Sequence, residues 1–183
     1  MDLEYVLGYA QVLAGDEKDG VPRLERMAQA TRAVDAYVIA GTARLHKREF
    51  HEASADLEAA AKLNPNFPGL QTLVGQARDA LGNSDAAMPA FQAAIQENPQ
   101  DFMANLYLGA MWLKKRDLDK ARPLLEEAVK LQPQAHEARL QLARLDELAG
   151  HYAAAAASLE DLEKADPGWI DPHIELAALY YKL

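Results

Sequence analysis

The sequence predicts an all-α solenoid of five helix-turn-helix repeats followed by one final unpaired helix, and three observations carry that reading. Pro65, Pro99, Pro133 and Pro167 stand 34 residues apart. Ala53, Ala87, Ala121 and Ala155 keep the same interval, and so do Leu57, Phe91, Leu125 and Leu159. A small residue recurs every 34 positions at Gly41, Gly75, Gly109, Ala143 and Ala177, with Gly8 standing 33 before Gly41. Independent columns in register at a period of this size mark stacked helical repeats.

The repeats run approximately over 1–33, 34–67, 68–101, 102–135 and 136–169, with a partial copy at 170–183, as one array over 1–183. The copy from Phe102 to Pro133 is the clearest. Leu106, Leu108, Gly109 and Trp112 lie along one helix, Arg116 to Asp119 interrupt it, and Ala121, Leu125 and Ala128 form the stripe of a second. The small residue of the first helix lets its neighbour approach, and the Leu or Phe of the second helix fills the space beside it. In the first copy, the most degenerate, Gly20, Leu24 and Met27 replace the corresponding residues. Gly15, Gly82 and Gly150 suit the left-handed residue that ends a first helix, whereas Arg48 and Arg116 hold that place in two other copies. Asn83 and Asp117 suit N-caps of the helices that follow. The 34-spaced prolines stop each second helix and turn the chain. Pro22, Pro89 and Pro123 fall inside second helices, where each loses a hydrogen bond to Lys18, Asp85 or Asp119, so a small kink or a late helix start is expected there.

Composition excludes several functions. With 28 acidic against 19 basic residues the net charge is −9, which opposes nucleic-acid binding because phosphate contacts need a clustered basic surface. The run Lys114-Lys115-Arg116 closes a helix, where it complements the dipole. The chain has no cysteine, which removes disulfides, thiolate metal ligands and a Cys nucleophile but fixes no compartment. No apolar run approaches the roughly 18 residues that membrane insertion requires.

The pattern Leu108-Gly109, Trp112, Ala121, Leu125, Pro133 resembles the tetratricopeptide repeat (TPR) family. It recurs as Val74-Gly75, Ala87, Phe91, Pro99, with Arg78 in place of the aromatic, and the last copy keeps Leu176, Ala177 and Tyr180. The resemblance covers essentially the whole chain. It implies a right-handed α-α superhelix whose first helices line a concave groove for a protein or peptide partner.

Carried onto this sequence, the resemblance implies groove-facing residues at Tyr5 and Tyr9, at Thr42 and His46, and at Thr72, Gln76 and Asp79. The fourth copy offers Met103, Leu106, Ala110, Leu113 and Lys114, with Tyr107 at the edge. The fifth offers Glu137, Gln141, Arg144 and Glu147, and the last helix Glu175 and Tyr181. The lysine–asparagine clamp with which some relatives hold acidic chaperone tails is missing, since Asn105 falls on a packing position.

Nothing in the sequence points to catalysis, a metal or a cofactor. His46 and His51 straddle a turn, and Ser54, Ser84 and Ser158 sit outside any nucleophile elbow. The ten glycines form no phosphate loop. The expected function is therefore a non-catalytic protein-interaction scaffold binding a peptide or helix of a partner. The rival readings are an accessory segment of a larger enzyme and a self-associating structural module. Helix 170–183 is apolar on more than one face through Ile170, Ile174, Leu176, Leu179, Tyr180, Tyr181 and Leu183. A solenoid needs a polar terminal face, so the chain reads as a piece of a longer array whose exposed end pairs with another copy.

Overall fold

The turn chemistry read from the sequence builds the observed architecture. The computed structural model describes residues 3–183, and the described residues form eleven helices and no strand. These are α1 (Leu3–Leu13), α2 (Glu17–Thr31), α3 (Val34–His46), α4 (Phe50–Leu63), α5 (Leu70–Ala80) and α6 (Ser84–Glu97), then α7 (Phe102–Lys114), α8 (Leu118–Leu131), α9 (His136–Leu148), α10 (Tyr152–Ala165) and α11 (Ile170–Lys182). Two compact units share them, Met1–Glu97 with α1 to α6 and Asn98–Leu183 with α7 to α11. Within each unit consecutive helices pack on one another, and so do the first helices of successive pairs.

All five first helices that are followed by a second end in the same motif. Gly15, Arg48, Gly82, Arg116 and Gly150 adopt left-handed backbone, with φ of 81°, 64°, 79°, 60° and 81°. In the third pair Gly82 N–H donates to the Asp79 carbonyl at 2.8 Å and Asn83 N–H to the Arg78 carbonyl at 2.9 Å; the other four turns repeat this pattern. It is a Schellman cap, which satisfies carbonyls the helix would otherwise leave open. Arg48 and Arg116 thus take the conformation that glycine takes elsewhere, against the crowding of their own Cβ. Asp117 caps α8 as expected, its carboxylate accepting from Lys120 N–H, and Asp101 caps α7 by accepting from Ala104 N–H at 2.9 Å.

Second helices stop where the prolines require. Asn64, Gln132 and Asp166 leave the helical region, with φ of −149°, −135° and −140°, as the following proline requires. The side chains of Asn64, Asn98 and Asp166 each accept a backbone N–H two residues on, at 3.2, 3.1 and 3.2 Å, and so turn the chain. The late helix start expected around Pro22, Pro89 and Pro123 does not occur. Each proline is the sixth residue of an unbroken helix, the register that Ala55 and Ala157 hold in α4 and α10. The three prolines and Lys18, Asp85 and Asp119 lie on the exposed side, where water can satisfy the carbonyls that lose a donor.

The small-residue column makes the close approaches. A Cβ on Gly41 would stand 2.7 Å from Leu57, one on Gly75 2.7 Å from the Phe91 ring, and one on Gly109 2.8 Å from Leu125. Around these contacts Leu24, Leu57, Phe91, Leu125 and Leu159 are buried. Three helices of the first unit also share an ion triad: Arg44 on α3 donates to Glu25 on α2 and to Asp56 on α4, and Asp56 is buried while the other two are half-buried.

Candidate partner-binding hollow

In the second unit the first helices α7, α9 and α11 line one open hollow of about 640 Å³. Helix α7 contributes Ala110, Leu113 and Lys114, and its turn contributes Arg116. Helix α9 contributes Gln141, Arg144, Glu147 and Leu148, while α11 contributes Glu175 and Lys182. Residues three and four apart share a helix face. The 141-144-148 and 110-113-114 sets therefore present side chains together, and the stacking of first helices brings those faces side by side.

Two ion pairs span the wall of this hollow. Arg144 Nε donates to Glu175 Oε1 at 2.6 Å, tying α9 to α11, and Lys182 pairs with Glu147 across the same two helices. The Glu147 carboxylate pushes the Lys182 ammonium above its ordinary range. Gln141 donates to Glu137 Oε1 at 2.6 Å. Lys114 and Arg116 are exposed and have no ion-pair or side-chain hydrogen-bond partner among the described residues. Four cations and two carboxylates line the hollow, and both carboxylates are already paired.

The structure thus gathers Lys114, Gln141, Arg144 and Glu175 at one place, together with Ala110, Leu113 and Glu147. Leu113 belongs equally to the core beneath, as does Leu106, each 6–7% exposed. Met103 and Tyr107 are half-buried on α7 and do not line the hollow, and Tyr181 is 94% exposed outside it. Arg116, Leu148 and Lys182 were not among the groove-facing residues expected from the sequence. Arg116 hides in a turn position that reads as a capping problem, and Lys182 reaches the hollow from a helix end. Asn105 is 3% exposed and donates to the Pro99 and Asp101 carbonyls, a packing residue as its position in the repeat indicated.

The candidates of the first unit are dispersed. The Tyr5 and Tyr9 rings stack with centroids 6.2 Å apart. Tyr5 also packs against the cluster of Leu24, Met27, Ala28 and Ala36, and burial together with its hydrogen bond to Asp35 pushes its phenol up to about 12. Thr42 donates back to the Val38 carbonyl at 2.7 Å, and His46 is exposed at the end of α3. Thr72 is 7% exposed, Gln76 is half-buried, and Asp79 accepts a hydrogen bond from Ser84 at 2.9 Å. The hollows seen in this unit lie elsewhere, between α2, α3 and α4 and between the α5 turn and α6.

Comparison with known proteins agrees with this geometry. A family model described as tetratricopeptide repeat matches residues 40–101 and 73–136, and a second model of the same description matches residues 113–180. No curated protein matches the chain. Among solved structures it is similar to a tetratricopeptide repeat protein from Parabacteroides merdae ATCC 43184, with 18% identity over 98% of this chain and 73% of that one and a TM-score of 0.80. It is also similar to YrrB, described as a TPR protein with an unusual peptide-binding site (18% identity, 98% of this chain, 91% of that one, TM-score 0.79). MamA from Desulfovibrio magneticus RS-1 gives 23% identity over 81% of this chain and 84% of that one, with a TM-score of 0.72. At such identities the likeness is one of fold.

Proposed function

Because this chain belongs to the tetratricopeptide repeat family, whose members are generally non-catalytic protein-interaction modules, we propose that it holds a peptide or a helix of a partner protein in a concave groove on its first helices. The observation that carries this reading is the hollow over α7, α9 and α11, where Lys114, Gln141, Arg144 and Glu175 converge. A groove of side chains fixed on packed helices can select a partner by shape and a few polar contacts. YrrB, a chain of similar fold, is described as having an unusual peptide-binding site, which supports this reading. The partner is a protein rather than a nucleic acid, given the net charge of −9. No described helix is long and apolar enough to cross a membrane.

Site-specific photo-crosslinking tests the groove. A benzophenone amino acid replaces Gln141 in the hollow or Lys130 on α8, whose side chain is 75% exposed. Partner adducts from position 141 and none from position 130 support groove binding. The reverse places the partner on the outer helices and refutes it.

One observation favours a second reading, self-association through residues 170–183. Ala177 is exposed, although Gly41, Gly75, Gly109 and Ala143 in the same column are all buried. Beside it Ile170 and Ile174 are 64% and 59% exposed.

A further inference from the structure

The corner of the hollow holds a residue in a conformation its backbone disfavours. Arg116 has φ 60°, at the turn position that glycine fills in three of the five equivalent turns. A non-glycine residue there carries strain, and such residues gather where a side chain is needed for a task. Arg48, the other exception, has a packing reason, since its guanidinium lies 6.0 Å from the centre of the Phe50 ring. Arg116 has no such contact among the described residues. Its side chain is exposed, without an ion-pair or hydrogen-bond partner among the described residues, and lines the hollow beside Lys114, which is equally unpartnered. The carboxylates in the hollow cannot serve them, because Glu175 is held by Arg144 and Glu147 by Lys182. Two positive charges are left over in a chain of net charge −9.

We infer that the hollow receives an acidic stretch of the partner protein, with Arg116 and Lys114 reading its carboxylates. This rests on the groove reading above and adds the chemistry of the bound segment. A guanidinium can hold a carboxylate through two parallel hydrogen bonds, and an ammonium beside it adds a second, less directional contact. Two spare cations match a short acidic segment. A nucleic acid, with a charge every few ångströms along its length, would meet the acidic remainder of the chain. The local positive field also steers an acidic segment towards the hollow, so binding weakens as salt rises.

The probes are a fluorescein-labelled peptide of alternating Glu and Ala, its Gln-for-Glu counterpart, and a labelled dT oligonucleotide, read by anisotropy against the full chain. The Glu peptide is expected to bind, and the Gln peptide about tenfold more weakly or worse. Arg116→Gly is the informative variant, because it relieves the left-handed strain while removing the charge. It should melt higher by about 2 °C yet bind the Glu peptide about tenfold more weakly. Lys114→Ala should lose a similar factor, and Arg116→Lys, which keeps the charge but not the paired hydrogen bonds, should lose less than Arg116→Gly. Equal binding of the Glu and Gln peptides, failure of both to bind, or unchanged binding by Arg116→Gly would overturn the inference. So would tighter binding of the oligonucleotide. Partner adducts from position 141 combined with any of those results would leave the groove reading standing and remove only the acidic one.

Discussion

Arg44 on α3 donates to Asp56 on α4 at 2.5 Å, and yet the Asp56 carboxyl is pushed up to about 6. Removal from water does most of this. Arg44 opposes it, and the nearby Glu25 carboxylate, which shares the same guanidinium, adds to it. A buried charge is compensated only when its partner is not shared, and here one Arg serves two acids.

The folded value of about 6 lies above the ordinary 3.8, so the folded chain holds the proton more tightly than the unfolded one. The stabilising contribution is complete below the lower value and is lost as pH rises through the upper one. Asp56→Asn removes the titration while keeping the shape and an acceptor for Arg44. Relative to the native chain, the variant should gain stability between pH 4 and pH 7 by on the order of 1–3 kcal/mol. Urea denaturation of both proteins at the two pH values checks this. A constant difference would show that Asp56 does not titrate in the folded state.

The small-residue column predicts a sharp contrast within one chain. A side chain at Gly109 meets Leu125 at 2.8 Å from its first carbon, so Gly109→Leu should cost about 1–3 kcal/mol by overpacking. Ala177 occupies the same column on α11 but is exposed, so Ala177→Leu should change stability by no more than about 0.5 kcal/mol. Gly168→Ala, whose added carbon has only Asp166 Oδ1 at 3.5 Å, serves as a neutral control. Equal urea midpoints for the Gly109 and Ala177 variants would mean the column does not pack as described.

What the sequence made legible was whatever depends on local covalent chemistry repeated in register. The glycine turns at 15, 82 and 150, the proline stops and the Leu or Phe column were readable because each satisfies a backbone or volume requirement that recurs every 34 residues. Features that occur once were not. Gly69 in left-handed backbone (φ 73°) serves a turn with Pro68 that delays α5 to Leu70, and Arg32 ends α2 in the same region (φ 56°), both outside the register. Asp56 reads as one more acid on an amphipathic helix, because burial beside Arg44 depends on how three helices meet. Of the positions carried over from the family, Lys114, Gln141, Arg144 and Glu175 line the hollow, whereas Met103, Tyr107 and Tyr181 do not. Arg116 and Lys182 line it without being among those positions, because they reach it from a turn and a helix end.

The two arginine turns offer a stability gain. Arg48 sits at φ 64° where Gly15, Gly82 and Gly150 sit near 80°. Glycine relieves a strain of about 1–2 kcal/mol there, offset by its larger unfolded-state entropy of about 0.5–1 kcal/mol. Arg48→Gly should therefore stabilise by a few tenths to about 1 kcal/mol, less whatever the contact with Phe50 contributes. The reciprocal change Gly82→Arg should destabilise by about as much. Thermal melts of the two variants must move in opposite directions, and parallel shifts would show that the left-handed turn is not the determinant.

The exposed stripe of α11 yields the last prediction. Ile170, Ile174, Ala177 and Tyr181 follow one another at intervals of four, three and four, so they share one face of the helix. All of them are exposed, Tyr181 to 94%. A contiguous apolar face of this kind is a favoured site of association. If two copies join through it, sedimentation should show a concentration-dependent shift towards a dimer, with helix content and melting temperature falling together on dilution. Ile174→Glu places a charge on the face at a position already 59% exposed, so it should abolish the shift without destabilising the single chain. A native chain that sediments as one species at every concentration would exclude this mode of association. The first helices would then remain as the surface for partners.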